Sequence, residues 1–159
     1  MRLRMPMALS TQHQLPISTQ IDSHPHVAVV PVGLRVLVVD DEGSVLEASR
    51  LLLEELGCAV WTAFDLDEAR ACLHNMQPHR PDLMMVDFRL KNASGIDVIK
   101  ALRQTLGEPW VNAVLVSGDT APERLLLAKQ EGVHICHKPL TLEKLKTELV
   151  ATTTLSLRA

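Results

Sequence analysis

The chain has 159 residues, 47% of them hydrophobic, which suits one globular domain with some chain to spare. Its 16 basic and 19 acidic residues leave a formal net charge of −3 without a basic cluster, which argues against direct nucleic-acid binding. The three cysteines, Cys58, Cys72 and Cys136, lack CxxC spacing, which argues against a disulfide framework or zinc site and for small buried hydrophobes in a reducing compartment.

Residues 1–33 are rich in Gln, Ser, Thr, His and Pro, carry three formally charged side chains (Arg2, Arg4 and Asp22), and are expected to form a tail or linker. Pro6 and the polar Ser10-Thr-Gln-His-Gln cut the apolar start short of a signal-peptide core. No stretch reaches the ~18 apolar residues of a membrane span, so a cytoplasmic chain without membrane contact is expected. His24 and His26, without a carboxylate partner, read as solvated linker rather than metal ligands.

From 34 to 151, β-type apolar runs alternate with helical periodicity. Strands are predicted at Arg35–Val39, Ala59–Ala63, Leu83–Val86, Ala113–Val116 and His134–Cys136. Three of these runs (36–39, 83–86 and 113–116) are apolar throughout, as strands covered on both faces should be. Ser44-x-x-Glu47, Asp65-x-x-Glu68 and Thr120-x-x-Glu123 have capping-box spacing, and Thr141 can cap the last helix. The pattern predicts an α/β, flavodoxin-like doubly wound parallel sheet of five strands, in the order 2-1-3-4-5, with five helices on both faces. A short C-terminal tail, 152–159, would follow.

Polar residues stand where the apolar runs stop: Asp40 and Asp41, Asp87, Ser117, and Lys138-Pro139. If the runs are neighbouring parallel strands, these groups share the carboxyl edge where open α/β folds bind ligands. Three carboxylates there repel one another, each pair at about 5 Å costing roughly 3 kcal/mol at an effective dielectric near 20. A divalent cation, Mg²⁺ or Mn²⁺, suits such an all-oxygen site. The milder alternatives are an acidic helix start for Asp40-Asp41 and a turn for Ser117-Gly118-Asp119. Asp82 reads as a turn residue, and Asp119 as exposed at the site mouth with its role open.

Taken together, Val39-Asp40-Asp41-Glu42, Pro81-Asp82-Leu-Met-Met-Val-Asp87, Gly95, Val116-Ser117-Gly-Asp119 and His137-Lys138-Pro139 resemble the receiver domain of two-component response regulators. The local style is most similar to receivers at the C-termini of hybrid sensor histidine kinases, and Arg2–Met7 resembles the closing strand of a kinase ATPase domain. The resemblance implies that Asp87 accepts a phosphoryl group from a phosphohistidine, on a histidine kinase or a histidine phosphotransfer protein. It implies that Asp41, Asp87 and the Arg89 backbone carbonyl hold the metal directly and Asp40 through water. Ser117 becomes the switch hydroxyl, Lys138 the second cation, and Pro139 the residue after a cis peptide bond. A homodimer through the last helices is also open to such a domain.

The chain departs from the family at Ile135, where an aromatic residue often follows the switch, and at Lys91, where Pro is usual and its loss predicts a less rigid loop. Neither His134 nor His137 is a phosphoacceptor candidate, and no kinase phosphorylation helix or Gly-rich ATP-binding box is present. The chain is therefore expected to be a signalling phosphoacceptor with self-catalysed transfer and dephosphorylation, not an enzyme on external substrates. It could stand alone as a single-domain regulator or belong to a hybrid kinase. An aspartate-nucleophile phosphatase of the haloacid-dehalogenase kind would need a second acid where Arg89 stands.

Overall fold

Continuous apolar runs can be buried on both faces only when helices cover both sides of a sheet. In the computed structural model, which describes residues 29–119 and 121–156, this is the arrangement. Strands β1 (Arg35–Val39), β2 (Ala59–Ala63), β3 (Leu83–Asp87), β6 (Asn112–Ser117) and β7 (His134–His137) form a parallel sheet in the order β2-β1-β3-β6-β7. That is the predicted 2-1-3-4-5 order once two short strands, β4 (Arg89–Leu90) and β5 (Ala93–Ser94), are set aside as their own antiparallel pair. β3 is central, and all five of its residues are buried.

Helices α1 (Gly43–Glu55) and α5 (Leu142–Ser156) cover one face, through Leu46, Leu53, Leu145 and Leu149. Helices α2 (Leu66–Met76), α3 (Gly95–Leu106) and α4 (Pro122–Gln130) cover the other. Here α3 inserts Ile96, Val98, Ile99 and Leu102, whereas α4 buries only Ala128 and leaves Leu125, Leu126 and Leu127 exposed.

One of the predicted caps, Ser44, is corrected. α1 begins after Glu42, not Ser44, and no side chain caps it; the Asp40 carboxylate accepts the Glu42 N–H and turns the chain into the helix earlier. Ser44 Oγ donates to Glu42, and Glu47 pairs with Arg50. α4 begins at Pro122 after Ala121, because proline's fixed φ suits the first helical position. Thr120 lies outside the described residues, as do Arg2–Met7, His24 and His26. Asp65 and Thr141 do cap, accepting the N–H of Glu68 and of Lys144.

Val30 is buried in the core, and α5 continues to Ser156. The hydroxyls of Thr152, Thr153 and Thr154 donate to the carbonyls of Glu148, Leu149 and Val150, four residues back, the local bond open to a threonine within a helix. Asp82 lies at the amino end of β3, away from Asp87, where it accepts the Arg35 N–H at 2.7 Å. No described helix is long and apolar enough to cross a membrane.

Candidate functional site

Parallel register brings the strand ends to one edge: Val39 lies beside Val86, Asp87 beside Val116, and Ser117 beside His137. The edge opens into a cleft of about 540 Å³ lined by Asp40, Asp41, Asp87, Ser117, Asp119 and Lys138 among others. The three acids, the hydroxyl and the lysine singled out from the sequence therefore meet there, and Pro139 does not line the cleft.

Asp87 is buried and held from two sides. Its Oδ2 accepts the Arg89 N–H at 2.9 Å, and its Oδ1 lies 2.8 Å from Lys138 Nζ. Asp40 accepts the Glu42 N–H through Oδ1 and faces Lys138 Nζ at 3.4 Å through Oδ2. Burial pushes the Asp40 carboxyl above its ordinary pKa, and the nearby Asp87 charge adds to this against the opposing pull of the Glu42 N–H and Lys138. Burial also works against the Lys138 ammonium. Its hydrogen bond to Asp87 and the two carboxylate charges outweigh that and raise its pKa, so the lysine stays charged. The Lys138–Pro139 bond is cis, as expected, and Lys138 is positioned by its N–H to the Ser117 carbonyl and by Lys144. The Lys144 ammonium donates to the His137 and Pro139 carbonyls on either side, a support that sequence reasoning missed.

Asp41 accepts the Lys91 N–H at 2.9 Å. A proline at 91 has no N–H to give, so the departure that predicted a looser loop instead ties the loop to the acid pair. The β4–β5 pairing and the Ser94 cap on Asp97 fasten the same loop to α3. Ser94-Gly-Ile-Asp97 has capping-box spacing with Asp in place of Glu, so this cap was open to sequence reading. Ser117 Oγ is occupied by its own loop, donating to the Asp119 carbonyl and accepting the Asp119 N–H, both at 3.1 Å. Ile135 is half-buried and packs on the core of the α4 face.

Asp40, Asp41 and Asp87 each bring a carboxylate oxygen within 4.8 Å of the others. Three hard anionic oxygens so close, one of them on a carboxyl whose pKa is raised, fit a divalent cation of the Mg²⁺ or Mn²⁺ kind. Asp41→Asn should therefore lower Mg²⁺ affinity at least about tenfold while leaving stability without metal within about 1 kcal/mol, or raising it. A thermal-shift titration checks this. An unchanged Mg²⁺-induced rise in Tm would remove Asp41 from the ligand set.

With this geometry, the comparisons with known proteins place the chain. Residues 36–150 match the response regulator receiver domain family, and the chain belongs to it. Receiver domains are signalling phosphoacceptors, not enzymes acting on external substrates. The alginate biosynthesis transcriptional regulatory protein AlgB of Pseudomonas aeruginosa is 34% identical over 70% of this chain and 24% of its own length. The CAI-1 autoinducer sensor kinase/phosphatase CqsS of Vibrio cholerae is 30% identical over 63% of this chain and 14% of its own. The chain thus spans less than a quarter of either relative. Among solved structures, the chemotaxis protein CheY4 of Vibrio cholerae superposes with a TM-score of 0.69 at 26% identity, covering 76% of this chain and 99% of that one.

Proposed function

We propose that this chain receives a phosphoryl group on Asp87 from a phosphohistidine, carried by a histidine kinase or a histidine phosphotransfer protein, and reports it through Ser117 and Lys138. The observation that carries this is the Asp87 carboxylate, fixed by the Arg89 N–H and Lys138 at an open cleft beside two further acids. An Asp87 oxygen forms the new P–O bond as the P–N bond of the donor breaks, and the electron pair stays on the imidazole nitrogen. Asp40, Asp41, Asp87 and the Arg89 carbonyl would hold Mg²⁺ or Mn²⁺, which when bound offsets the charge on the phosphoryl oxygens. Lys138 is already charged beside Asp87 and compensates the same oxygens. Ser117 reaches a phosphoryl oxygen only by leaving Asp119, so the loop after β6 carries the response.

Incubation with acetyl phosphate and Mg²⁺ should add one hydroxylamine-sensitive phosphoryl group by intact mass; no addition would refute the reading. Ser117→Ala should keep the label but shrink the amide shifts that beryllofluoride induces over residues 117–125, because the hydroxyl reports on the phosphoryl group without attacking it. Undiminished shifts there would place the switch elsewhere.

The setting we favour is the receiver of a hybrid histidine kinase, supported by the local motif style and by the similarity to CqsS. The similarity to AlgB supports a second setting, a response regulator. The coding sequence upstream of Met1 distinguishes them.

A further inference from the structure

Asp119 gathers more polar partners than the site's chemistry asks of it. Its Oδ1 accepts the Ala121 N–H at 3.0 Å, and its Oδ2 accepts Arg89 Nη2 at 2.9 Å and Arg124 Nη1 at 2.7 Å. These bonds hold its carboxyl below the ordinary carboxylate range, the Ala121 N–H first and the arginine charges with it. Arg124 also lies over the ring of Phe88, 4.9 Å from its centroid, and Phe88 directly follows Asp87. One carboxylate thus joins the segment after β3, the loop after β6 and the first turns of α4. Its main chain meanwhile occupies both hydrogen-bonding roles of the Ser117 hydroxyl.

We propose that Asp119 is a positioning residue that clasps these three segments through Arg89 and Arg124 and keeps Ser117 on its own loop, so that the clasp must open before the hydroxyl can meet a phosphoryl group. The proposal rests on the phosphoacceptor reading. It defines two states of one loop, and the Asp119 pairs belong to the resting one. Any phosphate mimic that draws Ser117 inward works against the clasp, and weakening the clasp should tighten mimic binding.

The test is beryllofluoride affinity in Mg²⁺ for the full chain and for D119N, R124Q and the double variant. Asparagine keeps the acceptor for Ala121 but drops the charge that holds the arginines. Each single variant should bind about two- to fivefold tighter, the scale of exposed ion pairs, and the double variant should gain less than the product, because both open one clasp. R124Q separates the clasp from simple electrostatics: removing a positive charge near an anion would otherwise weaken binding. Without the mimic, R124Q should also move the Ser117 and Asp119 amide resonances toward their mimic-bound positions. Wild-type chain that binds no mimic overturns the phosphoacceptor reading. Wild-type chain that binds it, while R124Q binds equally or more weakly, overturns the clasp alone.

Discussion

Asp87→Asn is expected to abolish the hydroxylamine-sensitive phosphoryl group that acetyl phosphate and Mg²⁺ add to the wild-type chain. An amide has no anionic oxygen with which to form an acyl phosphate, and no neighbouring group replaces it in the same place. Asp40 is turned toward the Glu42 N–H and Lys138, and Asp41 toward the Lys91 N–H. The fold should survive, because the variant loses one partner of Lys138 but also relieves repulsion among three clustered carboxylates. Asp40→Asn should retain slowed labelling, since its role is to support charge and not to receive the group. Labelling of the Asp87 variant at the wild-type level would displace the nucleophile assignment.

Gly95→Ala is expected to cost about 1–3 kcal/mol in urea unfolding, the range for overpacking a filled site, and to slow phosphorylation as well. In an ordinary helix the same change would stabilise by roughly 1 kcal/mol. Gly95 opens α3 directly against the strand that carries Asp87, and its N–H donates to the Phe88 carbonyl. A Cβ there would run into the carbonyl oxygen of Asp87, with its carbonyl carbon 3.0 Å away and Leu115 Cδ2 at 2.8 Å. The nearest obstacle is backbone, which cannot swing aside, so either α3 lifts or Asp87 shifts. The two costs should appear together. A raised urea midpoint would show that the contact yields.

The sheet was legible because its inner strands are apolar on both faces and so read as unbroken runs. Its boundaries missed by one residue where a strand ends in a polar group, at Asp87, Ser117 and His137. The acids, the hydroxyl and the lysine were legible for the same reason, each standing where an apolar run stops. What joins them was not. Arg89 meets Asp119 across 30 residues and Lys91 meets Asp41 across 50, and spacing carries no record of such contacts. The cap at Ser44 failed because capping-box spacing is a local signal, and there it lost to the Asp40 carboxylate accepting the Glu42 N–H. The helical bonds of Thr152, Thr153 and Thr154 to carbonyls four residues back were not legible, because they need the helix already formed.

The contrast between β3 and α4 sets where motion is inexpensive. β3 is hydrogen-bonded to a strand on each side and buried along its length, so its amides should exchange with solvent only when the whole domain unfolds. α4 rests on the core through Ala128 alone and shows three consecutive leucines to water, so its amides should exchange through local opening at far lower free energy. Asp87 thus sits in the strand expected to open last, on a sheet whose α4 face is expected to open early. Under the proposed function, a phosphoryl group on Asp87 would act on the part of the fold that yields most readily, without melting any part of the core.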